Sequence, residues 1–180
     1  MNLLTTARLN LREWRVSDAR ALFQFASLPG VFLMAGWAPL LHFEEATALV
    51  RKFIAKDDTW AIVPKKRIKV IGFVGLTEKI DDSGGTVLEL GFVLHPKYAD
   101  RGYMTEACCA VIDFAFEGLK RPILKACHFT DNEKSRRVIE KCGFVYEREI
   151  VFNSQALKEQ PTKEYYMTYD IYKLWRANHE

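Results

Sequence analysis

The stretch from Thr86 to Phe129 constrains this chain more than any other. "TVLELGFVLH" has the composition of a strand and "PKYADR" of a short loop; Gly102 then opens the run "YMTEACCAVIDFAFE", and "PILKACHF" supplies a further strand. Onward from Gly102, Ala107, Ala110, Val111 and Phe114 fall at the i, i+3, i+4, i+7 spacing of one buried helical face. Strand, loop, helix and strand in this order predict a crossover unit joining two parallel strands of a mixed sheet. Unsatisfied amides at such a helix start, with the positive end of the helix dipole, form a site for phosphate oxygens. A glycine there lets a ligand approach the backbone, and Arg101 beside it offers a charge-assisted contact. A tight turn explains Gly102 and Arg101 equally well.

The flanking sequence extends the same sheet. "ARLNLREW" alternates, with Leu9 and Leu11 on one face, and "SDARALFQFAS" follows with a Ser17/Asp18 helix start. "LPGVFLMAGWAPLLHF" mixes glycine, proline and large apolar groups, which predicts a loop or short helical turns at the edge of a pocket, before "EEATALVRKFIA" supplies a second amphipathic helix. "TWAIVPKKRIKVIGFVGLTEKI" reads as two strands about a "PKK" turn, and the "DDSGG" turn leads to a third, giving an antiparallel meander. In "TDNEKSRRVIEKCGF", Thr130 and Glu133 have capping-box spacing, Val138, Ile139 and Cys142 face a core, and Gly143 ends the helix. "VYEREIVF" and "EYYMTYDIY" read as closing strands, joined by the mobile-looking "NSQALKEQPTK"; the aromatic-rich end suits a core strand or a dimer edge.

Charge and cysteine usage remove several function classes. With 26 basic and 23 acidic residues the net charge is +3, too small and too scattered for a nucleic-acid footprint. Aromatic platforms at regular spacing for single strands are also lacking. No apolar run approaches the ~18 residues of a membrane span, and the beginning of the chain lacks a basic leader followed by an apolar core, so the expected location is cytoplasmic, without membrane partners. Cys108, Cys109, Cys127 and Cys142 form no CxxC pair and sit in apolar or helical contexts, which indicates neither zinc nor a disulfide framework. A length of 180 residues, 49% of them hydrophobic, predicts one domain over 1–180.

Three motifs, "TARLNLREW", "ELGFVLHPKYADRGYMTEA" and "NEKSRRVIEKCGF", stand in an order and spacing that resemble the GNAT N-acetyltransferase superfamily, specifically its ribosomal-protein N-terminal acetyltransferase (Rim-like) branch. The likeness covers nearly the whole chain. It implies an α/β (α+β) fold: a mixed, mostly antiparallel six- to seven-stranded sheet flanked by helices, splayed where two central strands diverge, with acetyl-CoA held in the gap. It also implies direct transfer of the acetyl group to an amine. The family's loop motif, Q/R-x-x-G-x-G/A, is altered here at both ends, to Ala99 and Met104. The resemblance then assigns cofactor contacts to Val93, Leu94, Arg101, Gly102, Tyr103, Met104, Thr105, Asn132, Ser135 and Arg137.

Chemistry narrows the acceptor. An attacking amine needs its lone pair; at pH 7 an α-amine gives up its proton for about 1 kcal/mol, and a lysine for roughly 4.6 kcal/mol. A peptide or amino-acid α-amine is the less demanding acceptor, and a protein or peptide N-terminus is the leading expectation; a polyamine, amino acid or aminoglycoside is the alternative, as is a non-catalytic CoA-binding module. On the strand leading to the cofactor, Glu89 matches the position of an acidic residue that often accepts the proton in such enzymes, and a surface glutamate is its plain alternative. The Val93 amide, beside an expected bulge, would face the oxyanion. Many relatives place a tyrosine at the position of Ile139 to serve the departing thiolate. The Rim-like pattern N-x-x-S instead offers Asn132 for the pantetheine arm and Ser135 for the thiolate, on one face of the helix start; both residues also suit helix capping. Arg136 and Arg137 suit the 3′-phosphate or a solvated face, His128 a strand end, and Trp37, Phe32, His42, Asn153 and Ser154 the acceptor side. A monomer or a homodimer fits equally.

Overall fold

Alternating apolar residues build the frame, and the computed structural model describes it for residues 2–81, 84–153 and 156–179. The chain opens with strands β1 (Leu4–Thr5) and β2 (Leu9–Arg12), followed by helices α1 (Ala19–Ala26) and α2 (Phe43–Lys56). The meander β3 (Thr59–Pro64), β4 (Gly72–Ile80) and β5 (Thr86–Leu94) leads to helix α3 (Tyr103–Asp113) and strand β6 (Ile123–Phe129). Helix α4 (Glu133–Lys141), strands β7 (Val145–Phe152) and β8 (Gln160–Thr168) and helix α5 (Tyr169–Ala177) complete it. The strands form one sheet in the order β1-β2-β3-β4-β5-β6-β8-β7, and β5–β6 is its parallel pair, closed by α3 as the crossover.

The sheet separates two cores. On one face Leu76, Leu88, Leu90 and Leu124 pack against Met104, Ala107, Cys108 and Val111 of α3, Ile139 of α4 and Tyr172 of α5. On the other, Phe73 and Val93 pack against Leu22 and Phe25 of α1 and Val50 and Phe53 of α2. Side chains along β5 alternate, so Leu88 and Leu90 point to the first core while Glu89, Gly91 and Val93 face the α1–α2 side.

Seven strands fall in the segments the sequence predicts, with β8 starting at Gln160 inside the expected "NSQALKEQPTK" connection, and the two-residue β1 adds an eighth at the edge. Three local expectations are corrected. Helix α4 is capped by Asn132 rather than Thr130, because Thr130 N–H is still bound to Pro161 (2.9 Å) and Asn132 N–H to Phe129 (2.7 Å). The run "EYYMTYDIY" breaks at Thr168, whose hydroxyl accepts the Ile171 N–H at 3.3 Å and starts α5. Strand β4 begins only at Gly72, since Ile71 N–H also turns to Ile62 (2.9 Å), the partner of Gly72. Residues 82–83 of the expected "DDSGG" turn lie outside the described residues. No described helix is long and apolar enough to cross a membrane.

Candidate active site

The parallel pair β5–β6 holds register only at Leu88–Leu124, Glu89–Lys125 and Leu90–Ala126. Beyond Leu90 the strands part, while β6 stays with β8 as far as Phe129–Thr162. The alternation of hydrogen bonds in β5 decides which main-chain groups face the resulting gap. Asp81 N–H bonds Gly85 C=O (2.9 Å) at one end of the β4–β5 ladder and His95 N–H bonds Ile71 C=O (2.8 Å) at the other, so odd-numbered residues of β5 are bonded to β4. This corrects the expectation for Val93: its amide belongs to the ladder opposite Phe73, in a register that carries no bulge. The amides turned to the gap are those of Phe92 and Leu94.

A cavity of about 500 Å³ fills one side of the gap, lined by Phe92, Val93, Leu94, the loop before α3 and the near face of α4. The loop is shaped by two left-handed residues, Asp100 (φ 59°) and Gly102 (φ 74°). Glu106 N–H makes the first bond of α3, to Gly102 C=O at 3.0 Å, which leaves the amides of Tyr103, Met104 and Thr105 free of helical partners; all three residues line the cavity. Met104 buries its side chain in the core, so the departure from a small residue costs the loop nothing on the cavity side. Arg101 is corrected: it does not line the cavity, its carbonyl accepts from Arg8 (3.0 Å), and its guanidinium lies 6.0 Å from the Tyr98 ring.

Helix α4 supplies the opposite wall. Asn132 accepts the Ser135 N–H at 3.1 Å and donates to Met34 C=O at 3.2 Å, so it caps the helix and ties it to the apolar loop. Ser135 lines the cavity, and its hydroxyl has no protein partner among the described residues. Lys134, Arg137 and Lys141 fall at i, i+3, i+7 and all line it. Arg136 points away into Glu133 (2.6 Å) and Glu140 (3.2 Å). Ile139 is fully buried. Orphaned amides facing three cations suit a diphosphate with a further phosphate, the donor set that CoA requires.

A second cavity, of about 260 Å³, adjoins the first on the α1–α2 side and shares Met34, Ala35, Phe92, Val93 and Ser135 with it. Glu89 lies in this second cavity, its Oε1 3.5 Å from Lys79 Nζ, while Cys127 Sγ donates toward Oε2 at 3.8 Å. Burial, and then the Glu89 charge, pushes the Cys127 thiol up, so it stays protonated and able to donate. Gly91 is exposed on the same floor, and a Cβ built there meets nothing within 4 Å.

The remaining sequence candidates divide. Trp37 lines the second cavity, whereas Phe32 is buried in the core behind it. His42 caps α2, its N–H bonded to Glu45 at 2.9 Å. His128 touches the second cavity but its ring is engaged by Phe129 C=O (2.7 Å) and the Tyr165 hydroxyl (3.2 Å). Asn153 is exposed and lines neither cavity; Ser154 lies outside the described residues. Sequence reasoning missed Lys134 and Lys141, which their one-face spacing with Arg137 signals. It also missed Gly91, whose role needs the register of β5.

Comparison with known proteins accords with this geometry. The model of the acetyltransferase (GNAT) domain matches residues 8–145. The uncharacterised N-acetyltransferase YoaA of Bacillus subtilis is 30% identical over 150 residues, 79% of this chain and 82% of its own length. A GNAT-family acetyltransferase from Bacillus anthracis superposes with a TM-score of 0.82 at 21% identity, covering 93% of this chain and 98% of its own. Spermidine N-acetyltransferase from Vibrio cholerae, solved with CoA and spermine, gives 0.77 at 20% identity, with 93% and 99% covered. At these identities the two structural likenesses bear on the fold.

Proposed function

The chain belongs to the GNAT acetyltransferase family, and on that premise we propose that the amine it acetylates is the α-amino group of a protein or peptide N-terminus. It is an N-acetyltransferase dependent on acetyl-CoA. The observation that carries the finer reading is the meeting of the two cavities at Phe92, Val93 and Ser135, with Glu89 on the floor of the second. The first holds donors for phosphates; the second is walled by aromatic rings, and its carboxylates, Glu89 and Asp58, are accompanied by three lysines, Lys52, Lys56 and Lys79. A polyamine would meet like charge there, while an α-amine needs no more than one proton acceptor.

Acetyl-CoA supplies the activated acyl group as a thioester. The amides of Tyr103 to Thr105, with Lys134, Arg137 and Lys141, hold its phosphates, and Asn132 and Leu94 border the path of the arm. The gap-facing amides of Phe92 and Leu94 orient the acyl oxygen. Glu89 accepts the proton of the amine, directly or through water, and Lys79 keeps its carboxylate in place. The Ser135 hydroxyl, free of a protein partner among the described residues, donates to the departing sulfur.

Thiol release from acetyl-CoA tests the reading against peptides with free α-amines, the same peptides blocked at the α-amine but carrying lysine, and spermidine. Turnover confined to free α-amines is expected. Equal turnover of blocked peptides or of spermidine would overturn the assignment. Glu89→Gln is expected to lower kcat by about 10²-fold, and Ser135→Ala by about tenfold, both with CoA still bound.

A further inference from the structure

We propose that the second cavity selects an amine carried on an aromatic or large aliphatic group with an anion next to it, in practice a polypeptide that begins with such a residue and continues with acidic ones. The inference rests on the α-amine reading above and specifies which N-termini are accepted.

The walls argue for the apolar part. Trp37 stacks on Phe73 at 5.9 Å, Phe53 lies 5.2 Å from Phe73, and Phe129 faces Phe152 at 5.8 Å; all five rings line the cavity. Between them Gly91 leaves open space above the sheet, beside Glu89 and against the junction with the first cavity. A slot bounded by ring faces removes apolar surface from water, and a serine or glycine at the first position would leave those walls uncovered.

Helix α2 argues for the anion. Leu49, Lys52, Phe53 and Lys56 occupy i, i+3, i+4 and i+7, and all four line the cavity. Lys52 and Lys56 are exposed at its edge and have no ion-pair partner among the described residues. The carboxylates of the same cavity are engaged: Glu89 by Lys79 at 3.5 Å, and Asp58 by the Thr59 hydroxyl at 2.8 Å. Three lysines against two carboxylates leave the cavity one net positive charge, with Lys52 and Lys56 exposed at its mouth, which draws in an acceptor with carboxylates beyond its first residue and repels a basic one.

The test is initial-rate acetylation of four peptides with a common tail, beginning Phe-Glu-Glu, Ser-Glu-Glu, Phe-Lys-Lys and Ser-Lys-Lys, beside phenylalanine, phenylalaninamide and spermidine. The expected kcat/KM for Phe-Glu-Glu exceeds each of the other peptides by at least about tenfold at low salt. A Lys52→Glu, Lys56→Glu double variant, altered at two exposed positions, is expected to reverse the Glu-Glu over Lys-Lys preference and to leave the Kd for CoA unchanged. Equal rates on all four peptides, or a preference untouched by the double variant, would overturn the inference and leave the α-amine reading standing. Turnover of spermidine with rejection of every peptide would overturn both. Turnover of phenylalanine over phenylalaninamide without any peptide would uphold the aromatic-plus-anion selection and overturn the polypeptide acceptor.

Discussion

Arg8 and Glu106, 98 positions apart in the chain, meet with Arg8 Nε 2.6 Å from Glu106 Oε2. The same guanidinium donates to Arg101 C=O at 3.0 Å and lies 4.6 Å over the Tyr103 ring, so the link between β1 and β2 braces the loop before α3 from behind. Arg8 lines neither cavity. Because the guanidinium is about half exposed, the lost bonds are worth about 1 kcal/mol. Arg8→Ala is expected to weaken CoA binding about fivefold by calorimetry. An unchanged Kd would mean that the loop holds its shape without the brace.

Asp100 is the second device that shapes that loop, and it is held against preference. A left-handed conformation costs an L-residue roughly 1–2 kcal/mol, less for aspartate, and none for glycine. Its one ion pair among the described residues, to Lys134 at 3.9 Å, joins two exposed side chains and contributes little. Asp100→Gly should therefore raise the thermal midpoint by a few degrees and tighten CoA binding, since a carboxylate leaves the neighbourhood of the phosphates. A lowered midpoint in differential scanning calorimetry would contradict this.

At Gly91 a side chain can be added without strain, because the backbone is ordinary strand and the space above it is open. Gly91→Leu should raise KM for the acceptor about tenfold or more while leaving the Kd for CoA unaltered. Equal losses in both would place Gly91 in the cofactor path instead.

His95 sets a pH window. Burial, and then the charge of Lys97, lowers its pKa below the ordinary 6.5, and its neutral Nδ1 accepts the Lys97 N–H at 3.1 Å at the entry to the loop before α3. The unfolded chain therefore takes up this proton first. The stabilisation is complete above about pH 6.5 and is lost as pH falls through the lower folded value. For Glu106, burial works upward, and the bonds from Thr6 and Arg8 outweigh it and lower the pKa below 4.5, so its loss belongs to a more acid window. Thermal midpoints between about pH 5 and 7 should fall with acidification in the wild type and flatten in His95→Gln; parallel curves would remove His95 as the cause.

The legible parts were those written in local pattern. The crossover was readable because helical spacing from Ala107 to Phe114 follows a strand directly, and α4 because a capping residue and a glycine bracket an apolar stripe. Thr130 and Asn132 compete for the cap by two residues, a choice settled by the bond from Thr130 to Pro161 across the sheet and the local turn bond from Asn132 to Phe129. Whether Val93 or its neighbours offer amides to the gap depends on strand parity, which no side-chain pattern encodes. The failure at Arg101 has the same origin: Arg8, which takes up its carbonyl, lies at the far end of the sequence.

The alternation along β5 has an evolutionary corollary. Odd positions turn their side chains to the α1–α2 side and lock their peptides into β4, while even positions do the reverse, turning peptides to the gap. Exchanging the residue at 91, which lines the second cavity and not the first, can thus reshape that cavity without moving the even-numbered amides. One ribbon of backbone carries two independently editable scripts, a plain route by which a lineage of such enzymes can change clientele while keeping its currency.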